Sequence, residues 1–244
     1  MKHLDEIKKL GIRTFDNLEI ESVDYKYIDV FYTGIESVEH RFLVDNTPSA
    51  NKEGEVIETS YTSRLVSKIN LLFEAPDNNP CGLDCVGPEK KGLYKIGEEE
   101  NMIVKHPDIV VHKGENPLEG YQEIVCEIKN LSYLGASEMI YDLNKLISYC
   151  SPSNWGNPYR IAIFLVYNCT KERLIKHVSG YRNQFYFIEN LLSSEESQVL
   201  NFSEFVNTHR NQLNNILCFC HSQEGYAELC TMYEIVESKI HVLM

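Results

Sequence analysis

The 244-residue chain carries 36 acidic against 23 basic residues, a formal net charge of −13, with 43% hydrophobic and 24% charged residues. That length suits one large domain or a domain with an appendage. The acidity argues against a protein that coats nucleic acid generally, which is normally basic, but leaves room for an enzyme that meets nucleic acid through a local basic strip and a bound metal.

No apolar run approaches the ~18 residues of a membrane span; the longest, IAIFLVY at 161–167, has strand length. The opening MKHLDEIKKL is charged and lacks an apolar signal core, so a cytoplasmic protein without membrane contact is expected. The eight cysteines are then expected to be reduced thiols.

In chain order, Leu4, Ile7 and Leu10 followed by Gly11 predict a short helix over 1–13 with glycine at its C′ position. Residues 18–44 alternate apolar and polar positions and are rich in β-formers, which predicts two or three strands. DNTPSANKEGE, 45–55, reads as a polar loop and an internal boundary. Tyr61, Leu65, Ile69, Leu72 and Phe73 recur at helical spacing, predicting an amphipathic helix over 56–74. Residues 75–92 read as a Pro- and Gly-rich loop with one short strand, 103–114 and 121–130 as strands, and 136–150 as a second amphipathic helix. A buried strand at 160–167 follows, and beyond 171 the pattern turns mostly helical. The expected fold is therefore α/β: a mixed central sheet flanked by helices on both faces, with an N-terminal β-rich extension (1–50), a core (51–170) and a C-terminal helical region (171–244).

The hairpin at 106–129, HPDIVVHKGENPLEGYQEIVCEIK, carries the functional reading. If Gly114 pairs with Tyr121, opposed residues sum to 235, so His112 faces Glu123, Val110 faces Val125 and Asp108 faces Glu127. Alternation puts these side chains and Lys129 on one face, and Ile109, Val111, Ile124, Cys126 and Ile128 on the other. Opposed Cβ atoms lie roughly 4.5–5.5 Å apart. Two carboxylates that close repel unless a positive charge intervenes. Mg²⁺, held by one or two carboxylates, waters and substrate phosphate, is the natural candidate, and Lys129 adds an ammonium beside it. Such a site suits metal-assisted attack of water on a phosphodiester.

Pro107-Asp108 and Glu127-Ile128-Lys129 together resemble the PD-(D/E)xK nuclease superfamily, whose fold is restriction-endonuclease-like. The resemblance spans residues 57–168, with Glu58 and its helix before the motif and the Asp142–Lys145 helix and the strand at 160–167 after it. It implies that Asp108 and Glu127, with the Ile128 carbonyl, hold Mg²⁺ or Mn²⁺, that Lys129 assists the water, and that Glu58 is a further acidic residue of the site. The expected activity is metal-dependent endonucleolytic hydrolysis of nucleic acid, DNA before RNA, with the terminal regions serving homodimer or protein-partner contacts.

Plainer readings stand beside these. Asp108, Glu127 and Lys129 could share a solvated strand face, and Glu58 could be a helix-N-terminal acid favoured by the macrodipole. His106 and His112 read as surface histidines, Asp84 as a turn residue and Glu123 as peripheral. Cys81, Cys85, Cys218, Cys220, His221 and Cys230 lack the paired knuckles of a zinc site, and Cys218 and Cys220 look like core thiols in a helical pattern. Lys90, Lys91, Lys95, Lys105 and Lys113, with Lys171, Arg173, Lys176 and Arg182, could form a phosphate-holding strip or be solvated charges. A catalytically silent nuclease-fold protein acting in binding or assembly is the alternative function.

Overall fold

The computed structural model describes residues 2–43, 53–88, 91–93, 103–113, 122–151, 158–182, 185–188 and 198–238. The hairpin turn 114–121, most of the 45–55 loop, and Lys90 and Lys95 lie outside them. Helix α1 (Leu4–Lys9) ends where Gly11 takes φ 59°, the left-handed conformation that the C′ position calls for. Next come α2 (Ser22–Glu36), α3 (Glu53–Phe73), β1 (Asp84–Val86), β2 (Lys91–Leu93), β3 (Ile103–Lys105), β4 (Ile109–His112), β5 (Gln122–Asn130), α4 (Ala136–Cys150) and β6 (Ile161–Tyr167). The remainder is α5 (Lys171–Ser179), β7 (Phe185–Ile188), β8 (Gln198–Asn201), α6 (Phe202–Thr208), α7 (Arg210–Asn215), β9 (Ile216–His221), β10 (Ala227–Thr231) and α8 (Met232–Glu237).

A six-stranded mixed sheet orders the strands β1-β4-β5-β6-β9-β10. β4 is antiparallel to β1 and β5, β6 is parallel to β5 and β9, and β10 closes the far edge antiparallel to β9. Side-chain alternation splits the core in two. Ile109, Val111, Ile124, Cys126 and Ile128 pack beneath α1, α2 and α3. Val110, Val125, Phe164 and Val166 pack beneath α4 and the later helices. The α/β expectation is met, with helices on both faces.

Two parts of that expectation are corrected. The N-terminal region is helical: Ser22–Glu36 is one helix, fully burying Tyr27, Ile28, Phe31 and Ile35, a helical spacing. Its start is fixed by the Glu21 N–H, which donates to Asp24 Oδ2 at 2.7 Å. The C-terminal region is mixed, because β9 and β10 complete the main sheet and β7 pairs with β8. Cys218 and Cys220 are core thiols on β9, a strand, and all eight cysteines are free. Among the described residues no helix is long and apolar enough to cross a membrane.

α2 and α3 cross closely at Gly34. A Cβ added there would stand 2.8 Å from Ile69 Cγ1 and 3.5 Å from Leu65 Cδ1. Gly34→Ala is therefore expected to lower stability by about 1–3 kcal/mol through overpacking, against the gain in helix propensity. Denaturant unfolding measures it, and a neutral or stabilising result would show that the helices separate freely.

Candidate active site

The candidate site lies where β5 runs out toward α4. Glu127 and Lys129 share the parity of Val125, so they face the α4 side of the sheet, while the Ile128 side chain enters the opposite core. On α4, Asp142 lies in the buried stripe of Met139, Leu143 and Leu146, and Lys145 is three residues on. Both therefore turn toward β5.

Glu127 is fully buried. Its Oε2 accepts from Lys145 Nζ at 2.7 Å; its Oε1 is buried with no hydrogen-bond partner among the described residues. Asp142 joins the two lysines: Oδ1 is 3.0 Å from Lys145 Nζ and Oδ2 is 3.3 Å from Lys129 Nζ. Lys129 also lies 3.6 Å from Glu58 of α3, so it connects the helices that cover the two faces of the sheet.

Asp108 is fixed by backbone. Its N–H donates to the Cys126 carbonyl at 3.1 Å, and its Oδ2 accepts the Ile128 N–H at 2.7 Å. The carboxylate thus takes the place of a main-chain carbonyl as the acceptor for the Ile128 N–H, just ahead of the first residue of β4. The expected register holds over Ile109↔Cys126, Val110↔Val125 and Val111↔Ile124, then shifts, so that His112 faces Gln122 rather than Glu123. Glu123 is fully buried, and its charge acts on the Tyr27 phenol of α2. His112 is buried and not a surface residue, and Asp84 opens β1 rather than a turn.

α3 is held against this edge by Tyr61, one turn beyond Glu58. Its ring stacks on Tyr167 at 4.4 Å, and its hydroxyl meets His221 Nδ1 at 2.8 Å. Since α3 begins at Glu53, Glu58 lies in the second turn, beyond the first-turn reach of the helix dipole. The macrodipole therefore does not account for it.

Asp108, Glu127, Lys129 and Glu58 thus share one electrostatic cluster, joined by Asp142 and Lys145. Burial raises the carboxyl pKa of Glu127, Asp108 and Glu58, reinforced at Glu127 by the charges of Asp142 and Asp108. Glu58 is pushed up to about 7. For Lys129 and Lys145, burial alone would lower the pKa, but the surrounding carboxylates outweigh it and hold both above the usual lysine value. Both therefore remain ammoniums at neutral pH.

Four carboxylates face two ammoniums, leaving two negative charges uncompensated when every group is ionised. Among the described residues no three of His, Cys, Asp and Glu stand together as a ready metal cage. Mg²⁺ needs less, one or two carboxylates completed by waters and phosphate. The partnerless Oε1 of Glu127 and the Asp108 carboxylate fit such a donor set.

Lys145→Met would leave Glu127 and Asp142 without their shared counter-charge. Removing one partner of a buried pair typically costs about 3–5 kcal/mol. An acid whose folded pKa is raised loses stability as pH rises toward that value, so the loss is expected to be larger at pH 8 than at pH 5. Unfolding at both values measures this, and a pH-independent loss would contradict the assigned pairing.

No family model, no curated protein and no solved structure matches the chain.

Proposed function

We propose that the protein is a metal-dependent nuclease of the PD-(D/E)xK type, hydrolysing phosphodiester bonds, with DNA the first substrate to test. The observation that carries this reading is the gathering of Asp108, Glu127, Lys129 and Glu58 into one cluster at the end of β5. The order of α3, β1, β4, β5, α4 and β6, which fits the resemblance, supports it too.

Asp108 and Glu127 are the residues to hold Mg²⁺ or Mn²⁺, with the Ile128 carbonyl as a further oxygen. The cation would supply Lewis acidity toward the phosphoryl oxygen and toward the attacking water. Lys129 stays protonated, so its part is to orient that water and to stabilise charge developing on the phosphate, not to remove a proton. Asp142 holds Lys129 from one side and Glu58 from the other. Lys145 holds one oxygen of Glu127, leaving Oε1 for the cation. Water would add to phosphorus as the P–O bond to the leaving group breaks, with one proton of the water passing to solvent and one from solvent reaching the departing alkoxide.

The direct test is cleavage of a panel of single- and double-stranded DNA and RNA with Mn²⁺ and with EDTA. Wild type should cleave only with metal. Glu127→Gln should abolish cleavage and Lys129→Met should slow it by roughly 10²–10³-fold, both with the fold retained by circular dichroism. Activity surviving both substitutions removes the assignment.

Because Glu58 carries a pKa near 7 and Asp108 and Glu127 are also raised, the metal-free cluster holds protons that a dication must displace. Mn²⁺ affinity should therefore rise from pH 6 to pH 8 with proton release. Calorimetry in buffers of different ionisation enthalpy reads both. Pairing of both ammoniums with carboxylates favours a second reading, a catalytically silent binding or assembly protein, and absence of Mn²⁺ binding at pH 8 would select it.

A further inference from the structure

We propose that Lys105 and Tyr141 form a phosphate subsite that seats a non-scissile backbone phosphate of the nucleic acid, an inference that rests on the nuclease reading of the adjoining cluster. Lys105 ends β3, three residues before Asp108. Its ammonium donates to the Tyr141 hydroxyl at 2.9 Å and lies 5.2 Å from the centre of that ring. Tyr141 immediately precedes Asp142 on α4, and the Lys145 ammonium lies 5.5 Å from the same ring. One aromatic ring thus separates Lys105 from the Lys145–Glu127 pair, which puts the two sites within reach of one substrate strand.

The chemistry of the pair distinguishes it from the cluster beside it. Lys129 and Lys145 are committed to carboxylates, whereas no carboxylate among the described residues pairs with Lys105, which is held by a neutral phenol. The Tyr141 oxygen accepts from Lys105, so its own O–H is free to donate. Both side chains are half-buried. The subsite therefore offers an ammonium and a hydroxyl, both donors, to a ligand that only accepts, and it keeps its charge in a chain of net charge −13. A phosphodiester oxygen meets that description. A carbonyl would leave the charge uncompensated, and a cation would be repelled.

The test measures binding of fluorescein-labelled single- and double-stranded oligonucleotides to full-length protein across a salt series in EDTA, alongside cleavage in Mn²⁺. One lost phosphate contact removes about 0.9 from the slope of log affinity against log salt on duplex and about 0.7 on single strand. Lys105→Gln should lose that slope and weaken binding roughly tenfold. Lys105→Arg should keep the slope, and Tyr141→Phe should weaken binding with the slope unchanged. In cleavage, Lys105→Gln should raise KM and keep kcat. Excess inorganic phosphate should compete weakly, since a lone phosphate gains nothing from neighbouring contacts.

If wild type cleaves but Lys105→Gln matches its slope and KM, the subsite falls and the nuclease reading stands. If wild type binds without cleaving, the nuclease reading falls and the slope still decides the subsite. If wild type neither binds nor cleaves, both are overturned.

Discussion

A carboxylate buried in the middle of a sheet is stable only if charge and hydrogen bonds reach it, and Glu127 imposes that condition on everything around it. Lys145 supplies both at 2.7 Å, and the geometry leaves little freedom. Strand parity turns Glu127 toward α4, and the three-residue spacing of Asp142 and Lys145 places both on the helix stripe facing β5. A rotation of α4 about its axis would break the ion pair and the packing of Met139, Leu143 and Leu146 together. Core packing and charge placement therefore specify the same helix setting. The desolvation of such a pair usually offsets most of its attraction, so its value lies in geometry more than in net stability.

Asp142 extends the constraint outward by giving one oxygen to each lysine. Lys129 passes it on to Glu58 and so to α3 on the opposite face. The Tyr61 stack on Tyr167 and the contact with His221 hold α3 in place from within the other core. Asp108 joins through its charge, which acts on Glu127 and Lys129, and is anchored by the Ile128 N–H donating to its Oδ2. The result is a compact group with an excess of two negative charges, met by retained protons or by a cation. Burial raises the carboxyls, with the neighbouring like charges, and so favours retained protons in the metal-free state.

Much of the geometry was legible in the sequence. The Asp108–Glu127 opposition followed from period-2 alternation and a compact turn, and the observed register agrees over Ile109 to Val111. The register shift at His112 was not legible, since nothing in VVHK marks an extra residue. α2 was missed because its valines, isoleucines and aromatics are β-formers, and burial on helix-covered sheet overrode that preference. The signal was present in Tyr27, Phe31 and Ile35, four apart, with Asp24 three residues past Glu21. β9 was missed because it follows α7 without a residue between them: Asn215 ends the helix and Ile216 begins the strand, with no Gly or Pro to mark the change. The part of Asp142 and Lys145 in the cluster was also readable, as charges inside an otherwise apolar helical stripe.

The acidity of the chain bears differently on its two kinds of cation. An ammonium already paired with carboxylates adds little to the field a polyanion meets, because the two charges cancel within a few ångströms. Lys129 and Lys145 are of this kind, so in the metal-free cluster neither adds much positive field for a polyanion. A chain of net charge −13 can still bind nucleic acid if positive charge is delivered where the phosphates sit. A bound dication at Asp108 and Glu127 would neutralise the cluster's excess of two negative charges, while Lys129 stays beside it between Asp142 and Glu58. On that account a bound cation would assist substrate docking at the cluster as well as chemistry. Lys105, held by the Tyr141 hydroxyl and by no carboxylate among the described residues, would offer positive charge beside the cluster even before a cation is bound.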